Sequence, residues 1–350
     1  HVRSRRQRQM CIRDSLTGLV VISDGWTSVQ NRPIVNALAS LPTGSYFLEA
    51  IDTSGETKNA EFIARFVLKQ INSFEPGLVV GVCMDGACTA AFPIIREEVP
   101  HVFTFICPTH SLDNFMKNVC SDKPTIRMKS VDREFDWGED LFCRAIDRVW
   151  EVVKFIVYHQ KALARYRQLA AELPPEKRPK GGMELVRYCE TRFASNILMI
   201  MRFNNVQSIL ERLMIDDVYM AWLSKQPRET REKGIEVKRI IRDETIARDV
   251  SLCITVLEPA LRLLRVTDGK EGAALGKVYG YMLQLDAFYR EPIPGLSERV
   301  RRKIHAVFMA RWEYFHVPVM TAAYRFEPEF CKRDLSSDEK KEVRDVLRQM

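Results

Sequence analysis

Strand-like and helix-like runs of hydrophobic residues alternate along the first 120 residues of the chain. Three short apolar runs come first, separated by polar turns: LTGLVVIS, RPIVNALASLP and GSYFLEAID. Neighbouring apolar runs of this length, joined by short turns, predict an antiparallel meander of three β-strands.

The next segment predicts a helix, because its apolar residues recur at helical spacing. In NAEFIARFVLKQINSF the residues on one face are Phe62, Ile63, Phe66, Val67 and Ile71. Two strand–helix pairs follow, LVVGVCMD with TAAFPIIREEV and VFTFIC with SLDNFMKNV. The order β-β-β-α-β-α-β-α predicts an α/β fold with a ribonuclease-H-like mixed sheet, in which the first and fourth strands are central neighbours.

From about Thr125 the pattern changes to long amphipathic helices, such as AIDRVWEVVKFIVYHQKALARYRQLA. We therefore predict three parts: a disordered or artefactual leader at 1–15, the ribonuclease-H-like core at 16–124, and a mostly α-helical insertion domain at 125–350. Ser336 and Glu339 form a capping box that begins one more helix. We expect this domain to be incomplete at Met350.

Composition narrows the class of protein. The chain is 46% hydrophobic and 28% charged, as in an ordinary globular protein. Its uncharged apolar stretches are far shorter than the roughly 20 residues that a membrane span needs, so we predict no membrane partner. Nine cysteines, an odd number without framework spacing, predict reduced thiols in an intracellular protein.

The net charge of +7 is unevenly distributed. Residues 16–120 contain 6 Lys or Arg against 10 Asp or Glu, a net charge of −4, whereas 121–350 contain 42 against 35, a net charge of +7. An acidic core beside a basic region suits cation binding in the first and polyanion binding in the second. Solvated helix faces are the alternative explanation.

Two aspartates follow apolar strands that we expect to be neighbours. Asp24 ends the first predicted strand and Asp85 ends the fourth, so their carboxylates should converge. Mg²⁺ and Mn²⁺ prefer oxygen ligands, and a pair of such ions can activate a water or hydroxyl for phosphoryl transfer. The alternative is a simple turn at each strand end, since both aspartates precede glycine.

Four short motifs, in this order and spacing, resemble the hAT-superfamily transposases, including the plant-and-protist branch that carries an associated domain of unknown function. The motifs are SDGWTSVQNRPIVN, VCMDGA, CPTHSLDNFMKN and CETRFASNILMI. The resemblance covers about residues 16–330. It implies a ribonuclease-H-like core interrupted by a helical insertion, which cuts and rejoins DNA in the nucleus with Mg²⁺ or Mn²⁺.

The resemblance also implies roles for particular residues. Asp24 and Asp85 match the first two catalytic, metal-binding carboxylates of the family, and Cys107 and His110 match its Cys-x-x-His motif. The same Cys and His could be half of a zinc site, but the spacing of the nearby cysteines argues against zinc. A core histidine hydrogen-bonded near the carboxylates is the better interpretation.

Arg192 and Phe193 match the Arg-aromatic pair of the insertion, whose ring is thought to stack on an extruded base. Such stacking tolerates sequence, so phenylalanine is adequate where many relatives have tryptophan. A helix cap or an interdomain ion pair is the alternative for Arg192. We interpret four tryptophans as packing residues instead: Trp26, Trp150, Trp222 and Trp312.

Three departures from the family pattern bear on activity. The third catalytic residue of the family, a glutamate, would lie beyond Met350. The region through which these proteins assemble as homo-oligomers would lie there too. Glu327 and Glu329 are poor substitutes for that glutamate. Gly86 stands where relatives usually carry asparagine. No BED-type zinc finger is present. We therefore expect this chain alone to be inactive, and its status as an enzyme stays open.

Three functions remain in competition. The first is a transposase-like core for metal-dependent DNA strand cleavage and transfer. The second is a non-catalytic DNA-binding or chromatin-associated protein derived from a transposase, for which the basic helical region speaks. The third is a ribonuclease-H-fold assembly module that binds only proteins, and no residue pattern favours it.

Overall fold

The computed structural model describes residues 18–121, 141–179, 181–189, 192–269 and 274–350. The predicted leader at 1–15 lies outside these residues. Five strands form one mixed sheet: β1 (Leu19–Thr27), β2 (Pro33–Leu41), β3 (Gly44–Asp52), β4 (Val79–Met84) and β5 (Phe103–Ile106). Their spatial order is β3-β2-β1-β4-β5. This confirms the predicted α/β class and mixed sheet.

The direction of pairing changes at β1. Strands β1, β2 and β3 form an antiparallel meander, whereas β4 lies parallel to β1 and β5 parallel to β4. The central strands are apolar because both of their faces are covered. Leu19, Val21 and Val82 are completely buried. The sheet therefore presents the carboxyl ends of β1 and β4 side by side at one edge.

Three helices and a short 3₁₀ helix alternate with the strands: α1 (Ala60–Ile71), the 3₁₀ helix Gly86–Ala91, α2 (Phe92–Glu98) and α3 (Pro108–Val119). The apolar face predicted for α1 is the face that the structure buries. Asn59 begins α1 as its N-cap, where its side chain accepts a hydrogen bond from the N–H of Phe62 at 2.9 Å. This cap satisfies one of the free donors of the first turn.

The described residues from 141 onwards are mostly helical. The helices are α4 (Leu141–Tyr158), α5 (Gln160–Ala171), α6 (Ser195–Asn205), α7 (Gln207–Leu213), α8 (Asp217–Ser224), α9 (Arg228–Arg242), α10 (Glu244–Thr267), α11 (Leu275–Arg290), α12 (Glu298–Phe315), α13 (Pro318–Phe326) and α14 (Ser337–Gln349). The predicted capping box of Ser336 and Glu339 is present at the start of α14. Among the described helices, none is long and apolar enough to cross a membrane.

The chain divides into two compact units. Within the described residues, the first is drawn from 1–112, 263–287 and 311–350, and the second from 113–262 and 288–310. The first unit thus contains the whole sheet and parts of the C-terminal helices. The predicted domain boundary at 124/125 falls outside the described residues and stays a prediction.

The second unit has its own core, in which aromatic rings from three helices meet. The ring centroid of Phe115 lies 5.5 Å from that of Tyr289 and 5.7 Å from that of Phe308. The carboxylate of Asp249, only 2% exposed, is held by Arg144 at 2.7 Å. Because a buried charge is tolerated only when it is paired, this ion pair ties α4 to α10.

We expect Asn59→Ala to destabilise the first unit by about 1 kcal/mol, because the substitution removes the N-cap of α1. The measurement is the denaturation midpoint in urea. Asn72→Ala is the matched control, since Asn72 follows the same helix at its other end without a described side-chain hydrogen bond. An equal loss in both variants would contradict a capping role for Asn59.

Candidate functional site

A cavity of about 470 Å³ opens at the carboxyl ends of β1 and β4. Asp24 and Asp85 both line it. The two strands are paired in parallel, and their last register pair is Ser23 with Met84, the residues immediately before the two aspartates. The prediction that neighbouring strands bring these two carboxylates to one place is confirmed in this geometric sense.

Asp24 does not end its strand, and in this respect the sequence prediction is wrong. The strand β1 continues to Thr27, and Asp24 is paired with Asn36 of β2. The reason is that β2 still pairs with β1 after β4 has left the sheet. Gly25 is likewise paired, with Val35, so the alternative of a turn at Asp24-Gly25 is also wrong.

Asp85 is the first residue after β4 and begins the 3₁₀ helix Gly86–Ala91. Its side chain makes no capping hydrogen bond. Nor does any described residue form a hydrogen bond or ion pair with its carboxylate. A carboxylate at a helix start usually accepts a backbone N–H bond. Since that of Asp85 accepts no such bond from a described residue, it is available to a ligand in the cavity.

Asp24 is half-buried, and burial raises its pKa above the usual value. The charges of Asp85 and Cys107 add to this increase, while His110 and a hydrogen bond from the N–H of Gly25 oppose it. A second carboxylate that raises the pKa of the first indicates a site where negative charge accumulates. A cation bound between the two would relieve this repulsion.

Cys107 and His110 lie next to the carboxylates, at the junction of β5 and α3. The N–H of Cys107 donates to the carbonyl of Met84 at 2.8 Å, which extends the pairing of β4 with β5. The ring Nε2 of His110 is 3.8 Å from Oδ1 of Asp24. The structure therefore brings the Cys-x-x-His motif and Asp24 into one cluster.

This cluster holds opposite charges. A hydrogen bond from the Cys83 thiol, together with His110, lowers the pKa of Cys107 to about 4 against the opposing effect of burial. Burial lowers the pKa of His110, but the hydrogen bond and charge of Cys107 and the charges of Asp85 and Asp24 outweigh it and raise that pKa to about 9. Near neutral pH, Cys107 and His110 are therefore a thiolate and an imidazolium.

Residues that could ligate a metal do not form a larger group here. Within the described ranges, no three His, Cys, Asp or Glu side chains come together in an arrangement that could hold a metal ion. The cysteines near the site, Cys83, Cys88 and Cys107, are free thiols. The direct protein ligands that this cavity offers are the carboxylates of Asp24 and Asp85.

The cavity is also lined by residues that sequence reasoning did not assign to it, among them Trp26 and Lys58. Trp26 is 43% exposed, so its interpretation as a packing residue is wrong. It lies two positions after Asp24 in β1, and alternate residues of a strand share a face. The spacing of two positions could have predicted that Trp26 lies on the same face as Asp24. It does so only if the strand continues past Asp24, and the structure shows that β1 extends to Thr27.

The other three tryptophans do pack against rings, as expected. Trp150 contacts Tyr188, Trp222 contacts Phe155 and Tyr219, and Trp312 contacts Tyr279 and Phe315.

Arg192 and Phe193 belong to the second unit and precede α6. The next residue, Ala194, has a left-handed φ of 50°. Its N–H donates to the buried carboxylate of Asp113 at 2.6 Å, and that carboxylate also pairs with Lys117. Asp113 thus fixes the turn that carries Arg192 and Phe193. Sequence reasoning missed this contact, because it joins residues 81 positions apart.

At about pH 6, the wild-type protein should show the ultraviolet absorbance of one thiolate that Cys107→Ser lacks. His110→Asn should reduce this absorbance, because without the imidazolium the pKa of Cys107 moves back toward its ordinary value. Cys88→Ser is the matched control, since burial raises the pKa of Cys88 and keeps it a neutral thiol. Identical spectra for wild type and Cys107→Ser would contradict the ion pair.

The ion pair of Cys107 with His110 makes the stability of the folded state depend on pH. The lowered pKa of Cys107 stabilises the folded state fully above its ordinary pKa of 9.0, and this stabilisation disappears as the pH falls to about 4. The contribution of His110 is complete below its ordinary pKa of 6.5 and disappears as the pH rises through about 9.

Comparison with known proteins gives one family match. Residues 7–156 match the family model described as "Domain of unknown function (DUF659)", a domain found in hAT-like and plant transposase-type proteins. The match includes all five strands and most of α4. A comparison with curated proteins finds no match.

Proposed function

We propose that this chain is a transposase-like protein of the hAT type, whose core cleaves and joins DNA strands with Mg²⁺ or Mn²⁺ held by Asp24 and Asp85. The observation that carries the proposal is the shared cavity of two carboxylates on adjacent parallel strands, one of which has no described partner. The DUF659 match over 7–156 supports it. Action on DNA implies a nuclear location.

The donor chemistry of the cavity fits a hard divalent cation. Mg²⁺ is usually held by one or two carboxylates and completes its shell with water and substrate phosphates. A bound ion would supply charge stabilisation at the scissile phosphate and an activated water or hydroxyl. Both carboxylates would bind the ion, and Asp24, whose pKa is raised by burial and by the charge of Asp85, would do so in competition with protons.

The remaining residues of the site suit an anionic substrate. With its raised pKa, His110 carries positive charge near neutral pH, and it lies 3.8 Å from Asp24. That charge favours the ionised form of Asp24 and attracts a phosphodiester. Lys58 adds a second positive charge to the cavity. In this proposal, His110 and Lys58 bind the substrate phosphate next to the carboxylates of Asp24 and Asp85.

In the second unit, Arg192 and Phe193 would bind the DNA strand. Arg192 is exposed and Phe193 partly so. In the proposal the guanidinium of Arg192 binds a phosphate and the ring of Phe193 stacks on a base. The Asp113 carboxylate would fix both through Ala194.

The alternative function is a non-catalytic DNA-binding or chromatin-associated protein. Two observations favour it: the described residues bring no third metal-ligating side chain to Asp24 and Asp85, and 121–350 carry the net charge of +7. In this alternative the DNA contacts are the same, but Asp24 and Asp85 have no role in them. Assembly as a homo-oligomer is compatible with both.

We expect Asp24→Asn and Asp85→Asn each to weaken Mn²⁺ binding by roughly tenfold or more, because each substitution removes a charged ligand. Paramagnetic resonance of free Mn²⁺ measures the affinity. Asp52→Asn, at the end of β3, is the matched control. Wild-type affinity should fall as the pH is lowered, because protonated Asp24 cannot bind the ion. Equal affinities in all four proteins would contradict the metal site.

The same variants distinguish catalysis from binding alone. We expect this chain alone to bind DNA without nicking it, since the described residues bring no third metal-ligating side chain to Asp24 and Asp85. When the family's C-terminal region with its glutamate is supplied, Mn²⁺-dependent nicking of plasmid DNA should occur with the wild type and Asp52→Asn, and not with Asp24→Asn or Asp85→Asn. Retention of DNA by all variants, without nicking by any, would favour the non-catalytic alternative.

We expect Phe193→Ala to weaken binding of a single-stranded oligonucleotide by about 1–3 kcal/mol through loss of base stacking. Fluorescence anisotropy at several salt concentrations measures it, and affinity should fall steeply with added salt in every variant. Tyr158→Ala is the matched control, since Tyr158 is a 61% exposed aromatic residue of the same unit. Salt-independent binding, or an equal effect in both variants, would contradict the DNA contact.

A further inference from the structure

The residue after Asp85 contacts a helix that is distant in sequence. The hydroxyl of Tyr314, on α12, donates to the carbonyl of Gly86 at 3.2 Å across 228 positions. Tyr314 and Gly86 both belong to the first unit. The 3₁₀ helix that begins with Gly86 is thus held from outside at its first residue, immediately beside Asp85.

Tyr314 also occupies the space that a side chain at position 86 would need. A Cβ on Gly86 would lie 2.8 Å from the Tyr314 hydroxyl oxygen and 3.2 Å from the ring atom Cε1. The backbone of Gly86 does not have a positive φ, so glycine is not required by conformation. A side chain at position 86 would instead force the tyrosine ring to move, because the hydroxyl approaches closely.

A buried arginine lies against the ring of the tyrosine. The guanidinium of Arg311, one helical turn before Tyr314, lies 5.5 Å from the centroid of the Tyr314 ring. Arg311 is only 8% exposed, and its Nε has no hydrogen-bond partner among the described residues. The interaction of a desolvated guanidinium with an aromatic face is therefore the favourable contact that the structure offers it. This contact restrains the ring against Gly86.

No described residue donates a hydrogen bond that would orient the carboxylate of Asp85. The backbone contacts next to it orient it instead: the N–H of Cys88 donates to the Asp85 carbonyl at 2.9 Å, and the Thr89 hydroxyl donates to the Gly86 carbonyl at 3.0 Å. Among the described hydrogen bonds to this turn, that of Tyr314 comes from another helix. It therefore restrains the position of this turn relative to α12.

We propose that Tyr314 is a positioning residue for Asp85, which orients this metal-binding carboxylate by holding the Gly86 carbonyl and filling the space above Gly86. The proposal rests on the proposed function, because it assigns Tyr314 to the same metal site. It goes beyond that function because it assigns a supporting role to a helix that is distant from the sheet in sequence. It also explains why a small residue suits position 86, where the tyrosine ring occupies the neighbouring space.

The test measures Mn²⁺ affinity and thermal unfolding together in the full chain. Outer contacts of a metal ligand typically change affinity by about tenfold when removed, so we expect Tyr314→Ala to weaken Mn²⁺ binding by that order. Tyr314→Phe retains the ring and should recover part of the affinity. Tyr281→Ala, which removes an aromatic residue of the first unit with a weak hydrogen bond to Glu329, is the matched control and should bind Mn²⁺ normally.

A second variant keeps the test decisive if Tyr314→Ala is unstable. Gly86→Ala should displace the ring and weaken Mn²⁺ binding as Tyr314→Ala does. The double variant should be no weaker than either single one, because both remove the same contact.

The outcomes separate the two proposals. Normal affinity in Tyr314→Ala and Gly86→Ala, with weakened binding in Asp85→Asn, would overturn the role of Tyr314 and leave the metal site standing. Unchanged binding in Asp24→Asn and Asp85→Asn would overturn the metal site itself. Equal losses of affinity and stability in Tyr314→Ala and Tyr281→Ala would show a general structural effect and also overturn the role.

Discussion

The parallel pairing of β1 with β4 is the constraint on which the site depends. Hydrogen bonds between these two strands set Ser23 beside Met84, so the next residue of each strand is an aspartate at the same edge. Parallel strands place equivalent chain ends together, which an antiparallel pair would not do. The cavity that both carboxylates line depends on this register, whereas burial is the main cause of the raised pKa of Asp24.

Opposite charges lie close together at the carboxylates. Asp24 and Asp85 concentrate negative charge, and His110, which is paired with Cys107, approaches Asp24 to 3.8 Å. Burial alone would neutralise both members of that pair, but their mutual interaction is stronger and keeps them charged. In the proposed function, this arrangement would hold a cation at the carboxylates and present positive charge to a phosphate, a combination that suits phosphoryl transfer.

The match of 7–156 to a domain of unknown function and the geometry of the sheet point to the same part of the molecule. Both concern the α/β core, which contains Asp24 and Asp85. The helical residues add support of two kinds. In the first unit Tyr314 contacts the turn after Asp85, and in the second unit Asp113 fixes the turn of Arg192 and Phe193.

The sequence by itself determined the strand and helix order, because apolar periodicity and turn residues are local properties. From the ribonuclease-H-like order of those elements, the sequence also predicted that the strands carrying the two aspartates are neighbours. It did not predict that β1 extends past Asp24, that Trp26 is exposed beside it, or that Tyr314 lies against Gly86. These features depend on where one strand leaves the sheet and on contacts across 228 positions. Only the tertiary structure decides them, since no local pattern encodes which distant side chain fills a given space.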